Sequence, residues 1–304
     1  MSKPHIGFIG IGVMGTPMSG HLAQAGYALT LYDVKRAAAV RAASAHAGIR
    51  VAKTPRAVAE VADIVITMLP SGAYVRDVAL GDSGLIEGLR AGALLLDTSS
   101  SEPWLTLETA KALGVRGVEM VDAPVSGALA GAQSAELVFM VGGKKANVKR
   151  VSPLLQIMGK QIFHLGPLGA GHAMKCINNL ITAMTFMATT EGLTIGKQFG
   201  LDPAVMTDVL NVSTGMSWIS KNHIRQRIIS RIFDDPFRLD LMVKDIGIAM
   251  QLARSQELPV PLSALGQHLW MAADRWAEEG SSLSHMVSWV EQMTGIQITP
   301  GSGR

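Results

Sequence analysis

Three glycines at fixed spacing, Gly10-Ile11-Gly12-Val13-Met14-Gly15, separate a short apolar run at residues 5–9 from a helical pattern in which Met18, Leu22 and Ala25 share a face. A strand, a glycine turn and a helix in this order restrict the fold more than any other stretch of the chain. Gly10 suits a tight turn, Gly12 lets backbone amides of the loop approach a pyrophosphate, and Gly15 lets the helix lie close on its strand. The helix N-terminus adds partial positive charge, which attracts phosphates. Asp33 closes the next apolar run, residues 29–32, at the spacing where an acidic side chain accepts the adenosine ribose hydroxyls. The three glycines, the intervening Ile11, Val13 and Met14, and Asp33 are therefore expected to bind a dinucleotide. A carboxylate repels a 2′-phosphate, which favours NAD, whereas Lys35 and Arg36 immediately after it suit NADP.

Strand and helix patterns then alternate. Apolar runs at residues 64–68, 93–97 and 118–122 read as buried strands, and the helical segments between them imply parallel pairing. Ligands of such sheets bind beyond the carboxyl ends of the strands. The residues expected there are small and polar: Ser99, Ser100 and Ser101 after one strand, Pro124, Ser126 and Gly127 after the next. Serines at such places serve turns and helix caps as readily as ligands. Runs at 137–141 and 161–165 complete a first domain, residues 1–166, and Gly166-Pro167-Leu168-Gly169 marks its end.

The stretch GAGHAMKCINN, residues 169–179, opens the longest apolar segment of the chain, which continues to residue 198. Gly169 and Gly171 allow a tight turn before it. Apolar residues on all sides suit a buried or a membrane-spanning helix. Lys175, Asn178, Asn179 and Glu191 break the run before about 18 clean apolar residues accumulate, so a core helix between two bodies of structure is expected. Lys175 and Asn179 are four apart and share a helix face. Burial disfavours an ammonium group and would lower the lysine's pKa, which suits proton transfer near neutral pH. The plain structural alternative is a lysine with a packed stem and a head that reaches water.

Everything after this helix is helical in pattern. Residues 203–210, 241–253, 262–276 and 284–293 show apolar positions at helical spacing, with Asp202 as an N-cap before Pro203. Residues 211–220 read as a polar loop holding Trp218, of a kind that can close over a site, although a tryptophan is more often plain core, and Lys244-Asp245 reads as an exposed pair. The second domain, residues 167–304, ends in a tail, residues 299–304, of disordered composition.

A length of 304 residues suits two domains, and 48% apolar with 17% charged residues suits a globular enzyme. The net charge is only +3, and the densest basic cluster, Lys144, Lys145, Lys149 and Arg150, has no interleaved aromatics, so nucleic acid is not an expected partner. Cys176 is the single cysteine, which excludes disulfides within the chain and suits a reducing compartment. The first residues lack a leader pattern. A cytoplasmic protein with no membrane partner and no metal site is expected.

Six segments then match one family in its own order: GFIGIGVMGTPM (7–18), ITMLP (66–70), DTSSSEP (97–103), DAPVSGA (122–128), GHAMKCINN (171–179) and LMVKD (241–245). Through them the chain resembles the β-hydroxyacid dehydrogenases, up to about residue 295. The resemblance implies an α/β chain: an N-terminal Rossmann domain, then an all-α domain joined to it by the long helix, with the active site in the cleft between. It implies NAD or NADP as cofactor, a small 3-hydroxy acid or its semialdehyde as substrate, and a homodimer or homotetramer. It makes Lys175 the catalytic lysine and Asn179 its partner. Ser126 and Gly127 become ligands of the substrate carboxylate, with Ala128 beside them. Leu69, Pro70, Tyr74 and Ser100 become cofactor contacts, and Lys244 lies near the nicotinamide end. Three positions depart from the pattern. Ala128 replaces a common glycine, Ser99-Ser100 replaces a serine-threonine pair, and Met216 stands where 3-hydroxyisobutyrate dehydrogenases tend to carry arginine, which weakens the case for that acid. Imine reductases share the architecture but generally replace the lysine, so Lys175 argues against them. A cofactor-binding protein without turnover would be expected to have lost Lys175 or Asn179.

Overall fold

The structure, a computed structural model, describes residues 3–300. Residues 301–304 of the tail and the first two residues of the chain lie outside the described residues. Thr299, at the start of that tail, accepts a hydrogen bond on its carbonyl from Lys197 Nζ at 2.9 Å. The chain divides into two compact units, Met1–Lys175 and Cys176–Arg304.

The first unit is a Rossmann domain. Its strands are β1 (Ile6–Ile9), β2 (Leu29–Tyr32), β3 (Arg50–Val51), β4 (Ile64–Thr67), β5 (Leu94–Asp97), β6 (Glu119–Asp122), β7 (Val125–Ser126), β8 (Leu137–Gly142) and β9 (Gly159–Gly166). They form one nine-stranded sheet in the order β3-β2-β1-β4-β5-β6-β8-β7, with β9 paired to β8. Ile64, Ile66, Leu94 and Leu96 enter one apolar cluster, and Val65 and Leu95 enter another. Successive side chains of a strand point to opposite faces, so both faces of this sheet are covered and its strands read as continuous apolar runs. The helices are α1 (Gly15–Gln24), α2 (Arg36–Ser44), α3 (Pro55–Ala59), α4 (Gly72–Leu80), α5 (Leu85–Gly88), α6 (Pro103–Gly114), α7 (Ala128–Gln133), α8 (Lys145–Met158) and the start of α9 (Ala170–Phe199).

Pairing is parallel from β3 through β6, as the alternation predicts. The direction changes at β8, which runs antiparallel to β6 and β7. Between β6 and β8 the chain forms only β7 and the six-residue α7, which do not make a helical crossover over the sheet, so it doubles back. The longer α8 restores a crossover, and β9 lies parallel to β8.

The second unit is all-helical. It contains the rest of α9, α10 (Pro203–Asn211), a π-helix (Ser220–Ile229), α11 (Leu239–Ser255), α12 (Pro261–Trp276) and α13 (His285–Thr294). Asp202 Oδ1 accepts the Ala204 and Val205 N–H groups and caps α10. Phe186 and Trp270 meet edge to face, ring centres 5.8 Å apart, inside the core. Two expectations fail here. Trp218 is 62% exposed rather than in the core, and α9 is not buried on every side: Ile177, Ile181, Ile195 and Phe199 are exposed along one face.

Candidate active site

The carboxyl ends of five strands stand in one row, because Ile9 pairs with Tyr32 and Thr67, Thr67 with Asp97, and Asp97 with Asp122. The glycine loop, Asp33, Leu69, Pro70 and Ser100 come after four of these ends, and Ser126, Gly127 and Ala128 come after the fifth by way of β7. Parallel sheets gather ligands at this edge.

The glycine loop leaves β1. A Cβ on Gly10 would overlap the Met68 carbonyl oxygen, and φ is +95° there; a Cβ on Gly15 would overlap the Gly10 carbonyl. The protein's own packing demands both glycines. At Gly12 an added Cβ meets nothing within 4 Å, so the open space beside it has no packing role and leaves room for a ligand against the loop amides. The first turn of α1 carries no acidic residue to oppose an anion. The loop thus fits a pyrophosphate. Ile11 is buried and Val13 exposed, and Met14 packs on the core. Asp33 is tied to this loop: its Oδ2 accepts the Ile11 N–H and its Oδ1 the Lys35 N–H, each at 2.7 Å. Beside it lies a groove of about 390 Å³ lined by Tyr32, Asp33, Val34, Arg36, Ala52 and Lys53. Lys35 is not among the lining residues, and Lys53 was not singled out from the sequence.

After β4, the Leu69 N–H donates to Ser99 Oγ at 2.9 Å, and Pro70 is exposed. Tyr74 is 58% exposed on α4. Along the serine run the side chains alternate. Ser101 Oγ donates to Asp97 Oδ2, and Ser99 is buried with its N–H on Asp97 Oδ1, whereas Ser100 between them is half-buried. After β6, Ser126 is half-buried at the end of β7, while Gly127 and Ala128 are exposed. Both take positive φ, +126° and +52°. The left-handed region suits glycine and strains alanine.

Asp122, read from the sequence only as a strand end, fastens the head of α9. Its Oδ1 accepts the Gly169 N–H and its Oδ2 the His172 N–H, both at 2.8 Å and buried. A carboxylate at a helix N-terminus satisfies donors that lack partners within the helix and meets the positive end of the dipole. His172 is fully buried; its Nδ1 lies 2.8 Å from Thr106 Oγ1 and its Nε2 3.4 Å from Asp97 Oδ2. Gly169 takes φ +91° and makes the expected turn. Gly171 does something else: a Cβ there would overlap the Met140 carbonyl oxygen, so the helix sits against β8 only because none is present. Lys175, the last residue of the first unit, is buried at 9% exposure.

In the second unit Asn179 is 5% exposed, and its Nδ2 donates to Asp245 Oδ2 at 2.6 Å. Asn178 Nδ2 donates to Asn179 Oδ1 at 3.2 Å. Lys244 Nζ lies 3.1 Å from Asp245 Oδ1. Lys244-Asp245 is therefore not the exposed pair expected, since Asp245 is fully buried. Sequence reasoning missed Asp245 because a Lys-Asp step on a helix looks like a solvated face. Its position four residues from Leu241 and Ala249 in a run of apolar residues was the available signal.

Residues 5–166 match the family model for the NAD binding domain of 6-phosphogluconate dehydrogenase, and residues 169–290 that for the NAD-binding of NADP-dependent 3-hydroxyisobutyrate dehydrogenase. The chain is 33% identical to 2-(hydroxymethyl)glutarate dehydrogenase of Eubacterium barkeri over 97% of its length and 98% of the relative's. The structure of Mycobacterium tuberculosis 3-hydroxyisobutyrate dehydrogenase with L-serine superposes with a TM-score of 0.86, at 29% identity, over 95% of this chain and 99% of that one. An imine reductase from Myxococcus stipitatus shares the fold alone, with a TM-score of 0.63 at 18% identity over 95% of this chain and 100% of that one. With its Rossmann domain, helical second unit and glycine loop, the chain belongs to the β-hydroxyacid dehydrogenase family and is an NAD(P)-dependent oxidoreductase.

Proposed function

We propose that Lys175 is the general acid–base in the interconversion of a small 3-hydroxy acid and its semialdehyde. One observation carries the assignment: a buried lysine sits on a helix whose first turn is fastened to a buried carboxylate at the end of β6, at the edge where the other candidate residues gather. NAD(P), when bound, supplies the hydride acceptor for oxidation or the donor for reduction. The glycine loop residues Gly10 to Gly15, with Asp33, Leu69, Pro70, Tyr74 and Ser100, would hold it, and Lys244 would lie toward its nicotinamide end.

In oxidation, neutral Lys175 takes the hydroxyl proton on Nζ; in reduction, the ammonium returns a proton to the carbonyl oxygen. Asn179, one helical turn on, holds the lysine and the reacting oxygen in place. Asp245 fixes the Asn179 amide by accepting from its Nδ2, so it is a positioning residue. Ser126 Oγ and the Gly127 N–H bind the substrate carboxylate. Support for the substrate class comes from the relatives. 2-(Hydroxymethyl)glutarate, 3-hydroxyisobutyrate and L-serine share a hydroxymethyl group on the carbon that bears the carboxylate. The differing substituent on that carbon is where Ala128 would act. The single, buried cysteine suits the cytoplasm, and among the described residues no helix is long and apolar enough to cross a membrane. The assembly proposed is a homodimer or homotetramer, supported by the open apolar face of α9.

Lys175→Ala tests the mechanism. Turnover should fall by about 10² to 10⁴ with dinucleotide affinity and melting temperature nearly unchanged. Lys175→Arg should not rescue it, because arginine keeps its proton and cannot act as the base. A fully active Lys175→Ala enzyme would end this mechanism.

A further inference from the structure

His172 is fully buried, and its two ring nitrogens are unequally served. Nδ1 lies 2.8 Å from Thr106 Oγ1 on α6. Nε2 makes no hydrogen bond of ordinary geometry among the described residues; the carboxylate paired with it, Asp97 Oδ2 at the end of β5, is 3.4 Å away. Asp97 acts as an acceptor toward Thr67 Oγ1, the Ser99 N–H and Ser101 Oγ. A lone pair on Nε2 would therefore meet another acceptor, which assigns a proton to Nε2. A buried donor without a close acceptor is costly, and an apolar side chain of similar bulk would fill the space without that cost. Packing alone does not explain an imidazole here.

The imidazole joins two parts of the site. Asp97 shapes the serine run, because it holds Ser99 and Ser101 on either side of Ser100. His172 stands three residues before Lys175 on α9, a spacing that puts both on one helix face. Asp122 fastens the head of α9 through backbone N–H groups, but it does so from the end of β6. The ring of His172 reaches instead from the helix of the lysine to the β5 carboxylate that organises the serines.

We propose that His172 is a positioning residue: through Asp97 it sets the Lys175 helix against the serine run, and so fixes the amine that moves the proton relative to the cofactor that Ser100 touches. The proposal rests on the reading of Lys175 as general acid–base. The test compares His172→Leu, His172→Gln and His172→Asn. Glutamine keeps an N–H donor near the place of Nε2, asparagine one near that of Nδ1, and leucine neither. Each variant is measured for turnover of 3-hydroxyisobutyrate, L-serine and 2-(hydroxymethyl)glutarate, for melting temperature, and for affinity toward 5′-ADP, which carries no nicotinamide. His172→Leu and His172→Asn should lower kcat by about ten- to a hundredfold, the scale of a misplacement of about 1 Å, while His172→Gln stays within about threefold of the wild type and all three keep 5′-ADP within about twofold. A residue that only filled space would show the reverse: lower melting temperatures, with kcat of the folded protein unchanged. Wild-type kcat in His172→Leu or His172→Asn overturns the proposal, as does a loss in His172→Gln as large as that in His172→Asn. Should His172→Leu fail to fold, the glutamine and asparagine variants decide by the same comparison. A wild type that oxidises none of the three acids removes the mechanism beneath this proposal and the proposal with it, whereas active His172 variants beside an inactive Lys175→Ala remove the proposal alone.

Discussion

Ala128 is held at φ +52°, where an L side chain costs about 1–2 kcal/mol and glycine much less. Glycine loses more chain entropy on folding, about 0.5–1 kcal/mol, so the two effects nearly offset with the strain term ahead. Ala128→Gly should therefore keep or slightly raise the melting temperature and also admit bulkier substituents on the carbon that bears the carboxylate. A lower melting temperature with an unchanged substrate profile would place Ala128 outside the site and its strain elsewhere. At this scale the chain's polar residues divide by how local their task is. The glycine loop and Asp33 are legible because their spacing carries the geometry, and the structure puts the Ile11 N–H on Asp33. Asp122 and Asp245 are not legible as anchors, because the groups they hold, the head of α9 and the Asn179 amide, are far away in sequence.

Elements show the same division. Parallel strands buried on both faces announce themselves as apolar runs. Pairing direction leaves no such trace, which is why β8 reads like its neighbours and yet runs the other way. β3 and β7 are two residues each, too short for any period to show. The π-helix SKNHIRQRII is mostly polar, and it buries Ser220, His223, Ile224 and Ile228. The head of α9 can be tested directly. Gly171→Ala would drive a methyl into the Met140 carbonyl, a backbone atom that cannot swing aside, with Asp122 Oδ2 only 2.8 Å away. Overpacking of this kind costs about 1–3 kcal/mol. The variant should melt earlier and lose kcat, with 5′-ADP affinity retained because the glycine loop is untouched. Wild-type melting and turnover in Gly171→Ala would show that α9 does not rest on β8 as described.

For the molecule as a whole, the face of α9 bearing Ile177, Ile181, Ile195 and Phe199, with exposures of 42%, 57%, 72% and 84%, is where the proposed homodimer or homotetramer is tested. Light scattering should give a mass of two or four chains, and Ile181→Glu combined with Ile195→Glu should shift it toward one chain with 5′-ADP binding kept. A wild type that is monomeric at micromolar concentration would remove this proposal. The bonds from Ile11 and Lys35 to Asp33 reach further than the adenosine they border. They make the carboxylate a strut of the glycine loop as well as a border of the adenosine site. A residue with two duties is a poor place for a lineage to change its mind: replacing Asp33 to welcome a phosphate would loosen the pyrophosphate cradle for both cofactors at once.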